Sequence, residues 1–277
     1  YSTFMRVIGV YPLFLIPVAG VTENVRSKIR ATFERDLNDL PVNGRLQTYA
    51  PRETLCLDEE EVREMIKASK KNPLGIPLPD ESQEARLIRH FAPIFIQDVA
   101  TPYDPPGRVV WKEGRPAIDL QRPTAYTYLS HAFLKGEPIL QINYVIWYSA
   151  REGKVTPWIE RGALDGITLR VSLDGEGRPF MVDVVSNCGC YHFFAPQKER
   201  VDRVVSKPLA FDPFVAPWLP EVPPKNRFGI RVSSARHEVQ RVLSLDPPPG
   251  SVPYEIVPYE DLEQLLNEKG DLESLFD

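Results

Sequence analysis

The spacing of hydrophobic residues changes about a third of the way along the chain. Before Pro93, apolar residues recur every three or four positions, which predicts amphipathic helices. Thr22 and Asp58 are plausible N-cap residues for the helices ENVRSKIRATFERDL and EEEVREMIKASKK. A third helix, SQEARLIRHF, is expected to end at Phe91, because proline disfavours helical conformation in the residue that precedes it.

After Pro93 the chain contains short runs of β-branched and aromatic residues, which predict strands: APIFIQDV, RVVW, PILQINYVIWYSA, GITLRVSL, PFMVDVV, CYHFF and GIRVSSARHEVQRVLSL. We predict one helical interruption, TAYTYLSHAFLKG, and a closing helix, YEDLEQLLNEKGDLESLF. The fold class is therefore α+β, with a mainly antiparallel sheet or sandwich core and helical N- and C-terminal segments. Residues 1–90 are expected to form a helical segment packed on a β-rich core of residues 91–277.

One hairpin is defined well enough to predict its register. Residues 167–173 alternate in polarity, DGEGRP forms the turn, and residues 180–185 return; both glycines of the turn are expected to adopt positive φ. The register that keeps apolar residues on one face places Arg170 opposite Asp183. This pair is either part of a site or a cross-strand ion pair on a polar face.

Composition excludes some classes of partner. The hydrophobic content of 43% suffices for a normal core, and the net charge of -5 argues against binding to nucleic acid or an anionic membrane surface. Three cysteines in a chain of this length do not indicate a disulfide framework.

The N-terminal segment VIGVYPLFLIPVAG is apolar but shorter than the ~20 residues of a membrane helix, and two prolines interrupt it. We therefore expect no clear membrane span. Because the chain starts at Tyr1, we expect a processed product. If residues 1–20 follow a removed signal, the protein is expected in the cell envelope or periplasm; if they pack in the core, it is expected in the cytoplasm.

The segment SNCGCYHFFAP concentrates the residues with the most reactive chemistry. On a straight strand, Cys188, Cys190 and His192 share one face, and neighbours two positions apart lie ~6.6 Å apart, within reach of one zinc ion. Residues four positions apart lie ~13 Å apart, so one ion can bind all three only if the strand bends at Ser186-Asn187 or Gly189. Otherwise, further ligands must come from elsewhere.

The leading prediction is a metal-dependent enzyme, most simply a zinc hydrolase. Its expected ligands are the residues of this strand and a histidine from RVSSARHEV: Cys188, Cys190, His192 and His237. A zinc-bound water would attack the substrate, with Glu238 or Asp183 as the base. The sequence does not identify the substrate.

Three alternatives remain open for the same segment. Cys190 and His192 would form a thiolate–imidazolium pair with Asn143 or Asp183 as the orienting group, as in a cysteine-nucleophile enzyme. Cys188 and Cys190 would cycle through a disulfide in a thiol-redox enzyme. In a non-catalytic envelope or interaction module, both cysteines would be buried core residues.

The two remaining histidines are expected to be structural. His131 lies among aromatic residues on a predicted helix, which is typical of a core or boundary position. His90 ends a charged helix, where a cation interacts favourably with the helix dipole.

Three segments, FAPIFIQDVATPYDPP, NYVIWYSA and GALDGITLRVSLDGEGRPFMVDVVSN, together resemble the sandwich of the necrosis- and ethylene-inducing-like proteins over residues 91–187. In that family, a motif with histidines, Asp and Glu precedes a β hairpin and binds a divalent cation. Only Asp165 corresponds to this motif, and its histidines are missing from RGALDGI. The resemblance therefore implies a sandwich fold, and neither the family's metal site nor its membrane-damaging activity.

Overall fold

The computed structural model describes residues 26–153, 156, 161–189, 191–201, 214–215, 218–223 and 225–276. The chain divides into two units, Tyr1–Leu40 and Pro41–Asp277. In the first unit, residues 26–34 form helix α1 and Leu37–Asp39 form a 3-10 turn. The predicted N-cap Thr22 lies outside the described residues.

Two helices of the second unit, α2 (Glu59–Ser69) and α3 (Glu81–Phe91), begin with capping boxes. The carboxylate of Asp58 accepts a hydrogen bond from the Glu61 backbone N–H at 2.8 Å, and the Glu61 carboxylate accepts one from the Asp58 N–H at 3.1 Å. Asp80 begins α3 in the same way. The predicted cap at Asp58 and the predicted end at Phe91 are both confirmed.

Strands are the main secondary structure of the second unit, and the predicted α+β class with a mainly β core is confirmed. The strands are β1 (Arg45–Pro51), β2 (Ile94–Val99), β3 (Arg108–Lys112), β4 (Arg115–Asp119), β5 (Thr124–Leu134), β6 (Glu137–Tyr148), β7 (Asp165–Leu173), β8 (Pro179–Ser186), β9 (Phe193–Pro196), β10 (Phe214–Val215), β11 (Arg227–Val232), β12 (Val239–Leu245), β13 (Val252–Pro258), β14 (Leu265–Leu266) and β15 (Leu272–Glu273). Within the described part of the chain, one sheet has the order β10, β9, β8, β7, β6, β5, β13, β1, β2, β11, β12. Separate two-stranded sheets are formed by β3 with β4 and by β14 with β15.

Two predicted helices are wrong. The segment TAYTYLSHAFL is strand β5, which pairs with β6 over nine residues, and its tyrosines and threonines suit this extended pairing. The segment predicted as the closing helix contains only a 3-10 turn, Tyr259–Glu263, followed by the β14–β15 hairpin. Gly270 lies in the reversal of that hairpin with φ of 87°.

The β7–β8 hairpin has the predicted register, and Arg170 lies opposite Asp183. A shift occurs only beside the turn, where Leu173 pairs with Pro179. Of the two turn glycines, only Gly177 has a positive φ, 78°, so the expectation of positive φ at Gly175 was wrong.

Side chains of β7 alternate between two faces of the sheet, which we call the core face and the polar face. The core face of β7 carries buried side chains, from Asp165 at one end through Ile167 and Leu169. Helix α3 lies against this face, because the Tyr144 hydroxyl of β6 donates a hydrogen bond to the Ile88 carbonyl at 2.7 Å. The polar face of β6, β7 and β8 carries Gln141, Asn143, Thr168, Arg170, Ser172 and Asp183.

A second hydrophobic cluster covers part of the polar face. It consists of Val109, Tyr126, Val145, Leu262 and Leu265, and so joins the β3–β4 and C-terminal hairpins to strands β5 and β6. The polar residues of β7 and β8 therefore lie beside this hydrophobic cluster.

We expect Gly177→Ala to destabilise the protein by about 1–3 kcal/mol, because Gly177 has positive φ and an added Cβ would meet Val62 Cγ1 of α2 at 2.6 Å. Gly175→Ala is the control in the same turn, since its nearest neighbour, Lys70 Nζ, is 3.6 Å away. Its effect should stay within about 0.5 kcal/mol. Urea unfolding of both variants measures this difference, and equal losses would contradict the described packing of the hairpin on α2.

Candidate functional site

A row of directly opposed residues crosses five strands on the polar face. From β5 to β9 the row contains Tyr128, Asn143, Arg170, Asp183 and Phe194. Because opposed residues point to the same side of a sheet, strand pairing alone brings these side chains together.

The Asp183 carboxylate lies at the centre of this row and binds two partners. Arg170 donates to it from Nη2 at 2.7 Å and from Nε at 3.0 Å, and His192 Nε2 lies 2.8 Å from Asp183 Oδ1. Burial alone would raise the pKa of Asp183, but hydrogen bonds from His192 and Arg170 outweigh burial and hold the pKa below its usual range. Asp183 is therefore an ionised, buried acceptor at neutral pH.

His192 reaches Asp183 because it lies between strands β8 and β9, just before β9 begins. Strand β8 ends at Ser186 and β9 begins at Phe193, so the bend after Ser186 that the sequence allowed is present. The His192 ring contacts the Phe194 ring at 4.2 Å between centroids. The His192 side chain is 35% exposed, and its Nδ1 has no hydrogen-bond partner among the described residues.

The tautomer of His192 follows from these contacts. An ionised carboxylate only accepts hydrogen bonds, so Nε2 must carry the proton that is donated to Asp183. In the neutral ring, Nδ1 is then an unprotonated acceptor. The arrangement of Asp183 and His192 is that of a general base with its orienting carboxylate.

Two neighbours in the row shape this environment. Burial raises the pKa of Tyr128, which lies close enough to Arg170 and Asp183 for both charges to affect it. Asn143 is buried, and its Nδ2 donates to the Tyr128 carbonyl at 3.2 Å and to Ser130 Oγ at 2.9 Å. Of the two orienting groups expected for His192, Asp183 binds the ring, whereas the Asn143 side chain forms hydrogen bonds to β5.

A second polar cluster lies on the core face around His237, which is completely buried. Its Nδ1 lies 2.7 Å from Asp165 Oδ2, and its ring stacks on Tyr148 at 3.8 Å between centroids. Arg151 donates to the same Asp165 oxygen at 2.8 Å. This cluster is a buried network of polar and charged groups.

Asp104 completes that network. Its carboxylate accepts hydrogen bonds from the Ala235 N–H at 2.7 Å and from Ser234 Oγ at 2.8 Å, and Oδ1 lies 3.4 Å from His237 Nε2. Burial would raise the pKa of Asp104, but the nearby His237 ring and the hydrogen bonds from Ala235, Ser234 and Ala100 lower it well below its usual range. Asp104 thereby fixes the loop between β11 and β12.

The structure does not bring His192 and His237 together. Asp165 binds His237, and Arg170 binds Asp183, the partner of His192. Asp165 and Arg170 are five residues apart on β7, and residues an odd number of positions apart on a strand point to opposite faces of the sheet. The two carboxylates therefore lie on opposite faces. The spacing along the strand is ~17 Å. The described contacts therefore place the two histidines in separate clusters and do not support their shared ligation of one ion, because His237 is buried in the loop between β11 and β12.

The cysteines and Glu238 complete the predicted set. Cys190 lies outside the described residues, and Cys188 is exposed in the β8–β9 loop. Glu238 forms an ion pair with Arg236 at 2.8 Å beside His237, so it is placed in the buried-loop region and not with Asp183. Within the described ranges, no group of three or more His, Cys, Asp and Glu side chains is arranged to hold a metal ion.

His90 and His131 have structural contacts. His90 Nδ1 accepts a hydrogen bond from the Leu57 N–H, and burial lowers the pKa of His90 to about 4. His90 is therefore neutral at pH 7, and its expected role as a cation at the helix end was wrong. His131 lies on β5, and its Nε2 is 2.6 Å from the Pro77 carbonyl oxygen.

Sequence reasoning missed Tyr128, Arg151 and Asp104. Tyr128 was assigned to a helix, and correct pairing of β5 with β6 would have placed it in the row. Arg151 binds Asp165 and Asp104 binds Ser234. Neither partner is a near neighbour in the sequence, so no local sequence signal indicates these contacts. A pocket of about 600 Å³ lies elsewhere, between α2 and the β7–β8 turn, and contains none of the predicted site residues.

No known family model, curated protein or solved structure matches the chain. Among the helices of the described segments, none has the length and hydrophobicity needed to cross a membrane.

We expect Asp183→Asn to lower the free energy of unfolding at pH 7 by about 2–3 kcal/mol, because Arg170 and His192 lose their shared acceptor. The folded-state pKa is depressed, so this stabilisation is present above the unfolded pKa of about 3.9 and is lost as pH falls through the folded value. Chemical denaturation at pH 7 and pH 3 should show a difference that shrinks in acid.

Asp119→Asn is the matched control, because Asp119 also binds an arginine, Arg122, at 2.7 Å, but on the surface. It should change stability at pH 7 by less than about 0.5 kcal/mol. A loss at Asp183 no larger than the loss at Asp119 would contradict the described sharing of the carboxylate.

Proposed function

We propose that the protein is a hydrolase in which Asp183 orients His192 as the general base and Cys190 is the nucleophile. The observation that supports this most directly is the 2.8 Å contact of His192 Nε2 with the buried Asp183, which leaves Nδ1 of a part-exposed ring as the basic atom. Cys190 is two residues before His192 in the sequence.

The proposed reaction is acyl transfer to the thiol. His192 Nδ1 removes the Cys190 proton, the thiolate attacks a carbonyl carbon, and the imidazolium returns the proton to the leaving group. Water, deprotonated by the same nitrogen, then hydrolyses the acyl-thioester and frees the thiol. Arg170 balances the charge of Asp183, so the Asp183 anion orients the ring without an uncompensated buried charge.

A zinc hydrolase with a smaller set of ligands, without His237, remains a second candidate. A carboxylate bound to one nitrogen of a histidine is also the usual support of a metal ligand, and here it would leave Nδ1 for the ion. With His237 on the other face, the ligands would be Cys188, Cys190 and His192, with an open position for water.

Alkylation by iodoacetamide at pH 6.5, followed by peptide mapping, tests both candidates without a substrate. We expect Cys190 to react about tenfold faster than the exposed Cys56, because a histidine-paired thiol has a depressed pKa. His192→Gln should slow Cys190 to the rate of Cys56, whereas the control His131→Gln should leave the ratio unchanged.

The remaining outcomes contradict the thiol mechanism. If Cys188 and Cys190 react only after a chelator is added, and metal analysis finds zinc in stoichiometric amount, the three-ligand zinc site replaces the thiol mechanism. If Cys190 reacts only after denaturation, with or without chelator, both catalytic proposals are wrong and the cysteine is a buried structural residue.

A further inference from the structure

We propose, on the basis of the hydrolase function above, that Tyr191 is a positioning residue that couples the buried His237 network to His192. Tyr191 immediately precedes His192 in the β8–β9 loop. Two guanidinium groups contact its ring, with Arg151 Cζ 6.0 Å and Arg236 Cζ 5.9 Å from the ring centroid. The Tyr191 hydroxyl also accepts a hydrogen bond from Arg236 Nη2 at 2.9 Å.

Each arginine is itself fixed in place. Arg151 is buried and bound to Asp165, the carboxylate that also holds His237. Arg236 is bound to Glu238 in the neighbouring loop. Cation–π contacts with such anchored groups hold the aromatic ring in one position, because the guanidiniums have little freedom to move with it. We call Arg151, Arg236 and the Tyr191 ring the clamp. The clamp holds the backbone at Tyr191, and thus the position from which the His192 side chain extends.

Backbone conformation gives independent support. Tyr191 has φ of 50°, and in the facing loop Ala235 and His237 have φ of 67° and 50°. The left-handed region costs a residue with a side chain about 1 kcal/mol or more, and such conformations persist only where surrounding contacts enforce them. The two loops that meet at Tyr191 thus contain three strained residues. The contacts around Tyr191 maintain a geometry that the loop would not adopt alone.

This arrangement assigns a role to residues that the sequence grouped with a metal site. His237 shares the Asp165 carboxylate with Arg151, and Glu238 forms an ion pair with Arg236, so both help to hold the arginines that contact Tyr191. Because proton transfer requires the base within hydrogen-bond reach of its partner, a displacement of about 1 Å at His192 is costly to the reaction.

The test compares Tyr191→Leu with Tyr191→Phe in the full-length protein, by iodoacetamide labelling of Cys190 relative to Cys56 at pH 6.5. We expect Tyr191→Leu to lower the ratio about tenfold, towards that of His192→Gln. Tyr191→Phe keeps the ring that contacts the guanidiniums and should retain more than half of the ratio. Thermal unfolding, monitored by circular dichroism, establishes that each variant is folded at the assay temperature.

The outcomes separate this proposal from the proposed function. If His192→Gln lowers the Cys190 ratio and a folded Tyr191→Leu does not, Tyr191 does not position His192 and only the clamp proposal fails. If His192→Gln itself has no effect, the hydrolase mechanism fails first. If Tyr191→Leu is unfolded, Arg236→Met replaces it in the test, because it removes one of the two guanidiniums that contact Tyr191. An unchanged Cys190 ratio in Arg236→Met overturns the proposal.

Discussion

The alternation of side chains along β7 determines which polar groups of this protein can act together. Asp165 points to the core face and Arg170 to the polar face, as residues an odd number of positions apart on a strand must. Each then collects its own partners from other segments. Asp165 binds His237 and Arg151 inside the protein, whereas Arg170 joins Asp183 and His192 on a face that solvent reaches.

The two clusters differ in burial and therefore in what they can do. His237 is completely enclosed, with carboxylates near both ring nitrogens, so it is suited to holding loops together. One nitrogen of His192 contacts a buried carboxylate and its side chain is part-exposed, which is the arrangement on which the proposed role as a general base depends. Tyr191 links the two regions, because it is adjacent to His192 in the sequence and its ring contacts Arg151, which binds Asp165.

Local sequence signals predicted some parts of this structure correctly. The capping residue Asp58 predicted the start of α2, and alternation with two turn glycines predicted the β7–β8 register and the pairing of Arg170 with Asp183. These features depend on neighbours within a few residues or on a single hairpin. The sequence also indicated the CGCYH segment as a candidate site, because it combines two thiols and an imidazole within five residues, and its catalytic role stays a prediction.

Features that depend on distant pairing could not be predicted in the same way. Strand β5 contains a helix-like spacing of apolar residues, and only its pairing with β6 and β13 makes it extended. His237 was placed beside CGCYH because both segments were predicted as strands. Nothing local indicated that Asp104, more than a hundred residues away, would hold its loop against the core.

The central claim is that Asp183 fixes one tautomer of His192 and leaves Nδ1 as the basic atom. Long-range ¹H–¹⁵N NMR of the histidine rings measures this directly, with the His192 signals identified by their loss in His192→Gln. We predict the Nε2–H tautomer for neutral His192, and a mixture of tautomers in Asp183→Asn. An Nδ1–H tautomer in the unmodified protein, or a tautomer that Asp183→Asn leaves unchanged, would contradict the account.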